Sequence, residues 1–522
     1  MSNIETKGDT LMSETRKEVG DYQTVKNSKK NIITLAIIAV IMIFAYWNGQ
    51  SVKGLENVDY GIWSIVPAIT AVTLAFITRE ALFSLLMAAI VGILIQGQGL
   101  WELSGLFTRS LGNGDFIWVV LIEVFIGVLV AFFLKTGSTD EFSRVVGGKI
   151  KSRKGVQILA WLLGMFIFFS DYFSPLFVGP VMKDLTDKAK ISREKLAYIC
   201  DSTSAPMAVI IPFSAWGVFI TGLLVGYGPI TDNITAAGIY FKSVGYNLYA
   251  IFAVAMVALI AFGIIPEFGP MKKAEERAMN EGKVLSDTAQ PLMGVELSEI
   301  QTAKEIKKPR LFLNFILPVL IIIVVAVGTY VFMGSAKTVE AFMTAVFFLG
   351  LMLIIQKVSI KDVFETGVQG IKGVMPAILI LSLAYVINTV SKDLGAAQYV
   401  ISITQGWLTP TLLPLLLFFM CAFISFSTGT SWGTYAIMIP IAMPLAFSFT
   451  GNDVTPLIYA TIGAVAGGGV FGDHCSPLSD TTVLSSFGAA SDHIDHVKTQ
   501  LPYASVAAVA ALIVYLIIGI AS

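Results

Sequence analysis

Residues 467–482 read GGGVFGDHCSPLSDTT and interrupt an apolar run that extends over 455–487. A helix of that length could cross a bilayer, yet its middle carries two acids, a histidine, a proline and four hydroxyl side chains. Ionisable residues at membrane depth are costly and face a protein interior or a water-filled cavity. Non-helical backbone at that depth is tolerated only where protein or such a cavity satisfies it. The stretch therefore predicts a broken membrane helix whose break lines a polar site.

The rest of the 522-residue chain supplies the membrane. Hydrophobic residues make up 55% and charged residues 14%, against roughly 25% charged in a soluble domain. The fold class is an all-α polytopic membrane protein. The net charge of −1 says nothing about partners, and no basic stripe points to a nucleic-acid partner. Cys200, Cys421 and Cys475 lie in apolar stretches and form neither a disulfide framework nor a CxxC pattern. Residues 1–30 are polar with charges of both signs, and read as a disordered cytosolic tail rather than a signal peptide.

Apolar runs near 31–47, 61–78, 81–97, 116–134, 245–265, 311–333, 341–356, 373–390 and 503–521 are candidate spans. Lys and Arg crowd the tail, 135–155, 183–195 and the 266–310 linker, which holds eight of them. The intervening loops hold one each at most: Lys53, Arg109, Lys242, Lys337 and Lys392. By the positive-inside rule the N-terminus is cytoplasmic and the C-terminus outside, in the cell membrane.

Both flanks of 156–182 are basic, and the run is broken at SDYFSP (170–175). That predicts a re-entrant hairpin turning near Asp171. Residues 196–224 follow as a span broken at DSTSAP (201–206). After the linker the order recurs inverted. A second hairpin occupies 411–448, broken at SFSTGTSWGT (425–434), and the broken span 455–487 follows. The third spans of the two sets end alike, LKTGSTDE (134–141) against INTVSKDL (387–394). The expected organisation is a tail (1–30), an extra first span and loop (31–60), inverted repeat 1 (61–265), a cytosolic linker (266–310) and inverted repeat 2 (311–522). This gives about eleven crossings plus two re-entrant hairpins. Inverted repeats with discontinuous helices are a pointer to a transporter site.

Hydroxyls, carboxylates and freed backbone carbonyls at the breaks make an oxygen-rich cage suited to a hard cation such as Na+. The candidate ligands are Asp171, Ser174, Asp201, Ser202, Thr203, Ser204, Thr428, Thr430, Ser431, Asp473, Ser476, Ser479, Asp480, Thr481 and Thr482. Na+ itself is placed at Asp201, Asp473, Ser476 and Asp480. Glu123 and His474 are candidates for proton relay or pH sensing. Plainer readings stand beside these. Asp171 could cap a hairpin helix, Glu123 could pair with a polar side chain, and the other acids could bond their own turns. His493 and His496 read as an interfacial turn before the last span, since a metal ligand set is incomplete there. Gly429 to Gly433 matches GxSxG, but without a strand–turn–helix context the chain is not an enzyme. A channel is disfavoured, because opposed half-depth hairpins suit alternating access.

GDHCSPLSDTT (472–482) resembles the signature of the NhaC family of Na+/H+ antiporters. DHIDHVKTQLPY (492–503) and LAFITREALFSL (74–85) resemble further family segments, so the likeness covers most of the chain beyond the tail. The resemblance implies an elevator-type transporter, with a mobile transport domain sliding along a scaffold domain. It places function on Asp473, Ser476, Ser479, Asp480, Thr481 and Thr482, with the 201–204 cluster as partner. His474 and Cys475 stand where many members carry other residues.

A poorly solvated carboxylate holds its proton above the ordinary range of about 4, whereas bound Na+ favours the charged form. One site then takes H+ or Na+ in turn, with no cofactor beyond these ions. The alternative adds an organic acid or amino acid as a coupled solute. The bilayer is the other partner, and a homodimer follows by analogy alone.

Overall fold

The computed structural model describes residues 34–521, apart from 56–57, 79, 113, 148, 151, 169–170, 213, 294–296, 298–299, 334–336 and 408. The expected tail and the Ser170 tip residue lie outside the described residues. Every named element is helical, and one isolated bridge joins Pro291 to Asp492.

The first helices are α1 (Thr34–Val52), α2 (Val66–Thr78), α3 (Ala81–Ile95), α4 (Leu103–Leu111), α5 (Gly114–Thr136) and α6 (Ser138–Gly147). Next come α7 (Arg153–Phe166), α8 (Phe173–Lys188), α9 (Arg193–Ser202), α10 (Ala205–Ile210), α11 (Ala215–Leu224), α12 (Asn233–Ser243), α13 (Leu248–Ala261) and α14 (Gly269–Glu281). The second half holds α15 (Leu317–Met333), α16 (Thr338–Ile355), α17 (Ile360–Asp393), α18 (Ala396–Thr404) and α19 (Leu413–Thr428). It ends with α20 (Ser431–Thr450), α21 (Pro456–Cys475), α22 (Asp480–Gly488) and α23 (His493–Ala521).

Among the described residues, seven helices are long and apolar enough to cross a membrane, or up to nine if each of two bent pairs counts as one span. Large apolar side chains on these helices face outward, such as Phe347 and Ile355, each 68% exposed. That surface suits lipid, where exposure of apolar groups carries no penalty. The protein is a multi-pass membrane protein.

Four segments differ from the sequence expectation. The span expected at 373–390 belongs to a 34-residue helix that starts at Ile360, where Ser359 caps it by accepting from the Asp362 amide. Lys361, Asp362, Glu365 and Lys372 lower the apolarity of its first turns without interrupting the backbone ladder. The expected loop over 135–155 contains α6, and the chain bends by 119° between α3 and the helix pair ending in α4. Residues 196–224 break twice, at Thr203–Ser204 and again before Ser214, whose hydroxyl accepts from Gly217 N and donates to Ala208 O.

Two hydrophobic cores organise the helices. One gathers residues of α3, α5, α7, α8, α9, α16, α17 and α22; the other gathers residues of α10 to α12 and α19 to α21. The chain passes from one core to the other at both breaks. Leu196 to Cys200 pack in the first core and Ala205 in the second; Cys475 packs in the second and Leu478 in the first. The breaks thus lie on the seam between the cores.

The linker closes over one end of this seam. Arg277 pairs with Glu194 at 2.8 Å and Lys195 with Glu267 at 2.8 Å, while Arg153 bonds Glu275. Further along, Ser286 donates to Asp495 and the Gln290 amide to Asp492. Glu275 is almost fully buried, and that burial holds its carboxyl above the ordinary Glu range despite the Arg153 and Lys195 cations.

Candidate functional site

Four short stretches of chain meet on the seam, and they are the four that the sequence marks as interruptions. The α19–α20 turn is made by Gly429 in the left-handed region (φ +70°) and extended Thr430. A Cβ on Gly429 would stand 2.5 Å from the Leu478 carbonyl oxygen, so glycine is needed there for both conformation and space. This contact seats the turn on the α21–α22 break. Ser476 fixes it further, donating to Phe426 O at 2.7 Å and accepting from Leu478 N.

The acids lie around this junction. Ser431, the first residue of α20, donates to Asp473 Oδ2 at 2.5 Å. The positive end of α20 therefore faces a carboxylate, the arrangement helix dipoles favour. Asp473 Oδ1 has no hydrogen-bond partner among the described residues. Across the break, Asp480 accepts from the Thr481 amide at 2.8 Å and from Tyr172 Oη at 2.7 Å. Asp171 accepts from Trp216 Nε1 at 2.9 Å. Asp171, Asp473 and Asp480 are close enough to interact electrostatically. Ser479 caps α22 and bonds Thr481, and Thr482 donates to Asp473 O across the break. Ser174 is buried with no partner for its hydroxyl among the described residues.

Asp201 sits in a neighbouring network of its own. Its Oδ2 accepts from Gln500 at 2.7 Å and lies 3.2 Å from His496 Nε2, while Oδ1 has no partner among the described residues. Gln500 also donates to His474 O. His474 stands between Ser202 (3.0 Å) and Tyr249 (2.7 Å). Thr203 and Ser204 bond carbonyls of α9, at Ile199 and Asp201. Thus Asp473 and Asp480 flank one break, and Asp201 is held by α23. No group of three or more His, Cys, Asp or Glu among the described residues is arranged to hold a metal ion. Glu123 stands apart in α5, buried, with both oxygens lacking a hydrogen-bond partner among the described residues.

His493 and His496 stand at the start of the last long helix, as the sequence reading placed them. Both rings are buried, His496 beside Asp201 and His493 between Ser486 and Pro477 O. They lie on the first turn of α23. Sequence reasoning passed over Tyr172, Trp216, Tyr249 and Gln500. Only Tyr172, inside the first interruption, carried a local signal. Ser431, the serine of the GxSxG match, bonds a carboxylate and not a histidine.

A cavity of about 480 Å³ opens beside the acids. Thr428, Gly429, Thr430 and Gly433 of the turn line it, with Leu478 and Asp480 of the break. Trp118, Tyr172, Phe219, Tyr385 and Trp432 wall it, and Asn388, Thr389 and Lys392 of α17 complete it.

Comparison with known proteins agrees with this architecture. A family model described as the Na+/H+ antiporter family matches residues 207–520, which include α19, α20 and the α21–α22 break. The chain is 34% identical over 505 residues to an uncharacterized protein of Haemophilus influenzae, covering 89% of this chain and 92% of that one. It is 32% identical over 162 residues to the malate-2H+/Na+-lactate antiporter of Bacillus subtilis, covering 31% of this chain and 33% of the relative. Over 163 residues it is 28% identical to the Na+/H+ antiporter NhaC of Alkalihalophilus pseudofirmus, covering 31% and 34%. By the extent of the family match and the likeness along nearly the whole chain, the protein belongs to the Na+/H+ antiporter family.

Proposed function

We propose that the protein exchanges Na+ for H+ by alternating access, with Asp473 and Asp480 taking the two ions in turn. One observation carries this reading: the two acids flank a helix break, both are buried, and Asp473 keeps one carboxylate oxygen without a hydrogen-bond partner among the described residues. Carboxylates close together in poorly solvated surroundings resist double ionisation. A proton relieves that repulsion, and so does Na+ held by carboxylate, hydroxyl and carbonyl oxygens. Asp171 contributes to the same field. Asp201, His474 and Ser202 stand beside this pair and shape access to it.

The helix pairs α7–α8 and α19–α20, read as re-entrant hairpins, and the two broken helices support an inverted-repeat transporter of about eleven crossings, whose transport domain moves as an elevator. The cores meeting at the breaks fit that motion, because an ion held there leaves with whichever side slides. The basic linker supports a cytoplasmic N-terminus. A relative adds weight: the Bacillus subtilis antiporter pairs H+ and Na+ with malate and lactate.

Purified protein in liposomes with a trapped pH dye tests the reading. After a pH gradient is imposed, NaCl alone should dissipate it in the wild type and fail in Asp480→Asn. A wild type unresponsive to NaCl would overturn Na+/H+ exchange.

A further inference from the structure

The cavity beside Asp480 is far larger than an ion requires. A water molecule occupies about 30 Å³ of liquid, whereas about 480 Å³ lies within the range of small-molecule pockets. Its walls are also unlike an ion cage. Trp432 stacks on buried Trp216 with ring centroids 3.9 Å apart, and Phe219 lies 4.6 Å from Trp432. Trp118 meets Tyr172 edge to face at 5.5 Å. These contacts fix the rings as a stiff apolar wall.

Two charged side chains of opposite sign line it. Asp480 supplies an anion on one wall, and Tyr172 anchors it. Lys392 supplies a cation on α17; Arg109 takes the adjacent Asp393 at 3.2 Å, and no described carboxylate pairs with Lys392. Between them Asn388 presents a buried Oδ1 with no partner among the described residues. Aromatic faces and a carboxylate attract an organic ammonium group. Lys392 repels a simple cation and attracts a carboxylate. A dicarboxylate would satisfy Lys392 but would face Asp480 and the ring faces.

We propose that this cavity binds an amino acid with an apolar or aromatic side chain, as an organic solute at a site that shares Asp480 with the cation exchange. The ammonium group meets Asp480, the carboxylate meets Lys392, and the side chain lies against Trp432 and Phe219. The inference rests on the antiport reading only in sharing Asp480, and it extends that reading by naming a solute class.

The test uses the full chain in liposomes and two readouts in the same vesicles. Tryptophan fluorescence is titrated with L-phenylalanine, L-leucine, L-malate and L-lactate, and Na+-driven proton movement is followed by the trapped dye. L-phenylalanine or L-leucine should give a saturable change that the two organic acids do not. Trp432→Ala and Lys392→Gln should each weaken it about tenfold or more, roughly the value of one good contact, and leave Na+/H+ exchange in place. Saturation by L-malate or L-lactate alone would overturn the zwitterion assignment. Na+/H+ exchange with no response to any of the four solutes would overturn the inference while the antiport reading stood. Amino-acid saturation without Na+/H+ exchange would sustain the inference and overturn the antiport reading.

Discussion

Tyr172, at the start of α8, donates a hydrogen bond of 2.7 Å to Asp480, 308 positions later at the start of α22. This contact joins the start of α8 to the start of α22, so distant parts of the chain build one site. A donor to a carboxylate favours its ionised form, the form that binds Na+. Tyr172→Phe should therefore weaken Na+ against H+ by roughly tenfold, given the strength of hydrogen bonds to charged groups. Sodium dependence of exchange at several pH values reads this directly. An unchanged half-saturation at every pH would remove Tyr172 from the site.

Gly429→Ala should damage the turn more than its size suggests. Alanine at φ +70° costs about 1–2 kcal/mol, and its Cβ would overlap the Leu478 carbonyl. Together these effects should lower the melting temperature and slow exchange, because the turn would lift from the break. Thermal unfolding in detergent beside transport checks both. A variant with wild-type stability would show that the turn does not rest on Leu478.

The positions of these interruptions were legible in the sequence. Ser, Thr, Asp and Pro inside apolar runs at 170–175, 201–206, 425–434 and 467–482 mark where helices α8, α10, α20 and α22 begin or are preceded. Partners across the fold were not legible. Gln500 and His496 look like polar residues ahead of a span, and only tertiary packing brings them to Asp201, 299 and 295 positions away. Trp216 sits in an apolar run with nothing to mark its indole as the donor to Asp171. The extent of α17 was hidden because charged residues in its first turns mask a helix in a hydropathy reading.

Gln500 and Asp201 should behave as a coupled pair. Gln500→Leu strips a donor from a buried carboxylate, and Asp201→Asn removes the charge that the donor serves. Each should cost roughly 1–3 kcal/mol of stability, and the double variant should cost less than their sum. Additive losses in a double-mutant cycle would mean that the two side chains do not share a network.

Glu275 should give the linker a pH-dependent grip. Burial raises its carboxyl above the ordinary range, so the folded chain holds the proton more tightly than the unfolded one. The stability this brings is present at low pH and is lost as pH rises from about 4.3 through the raised value. Wild type should therefore lose stability relative to Glu275→Gln as pH rises above about 4.3. A gap that widens in favour of the wild type over that range would reverse the sign and place the ion pair with Arg153 above burial.

The central claim is that Na+ and H+ compete for Asp473 and Asp480. Binding of radioactive Na+ to the purified protein, measured across a series of pH values, tests it most directly. Competition predicts that half-saturating Na+ rises in proportion to proton concentration below the titration of the site, and that Asp473→Asn and Asp480→Asn abolish binding. Na+ affinity that is independent of pH, or retained in both variants, would contradict the account.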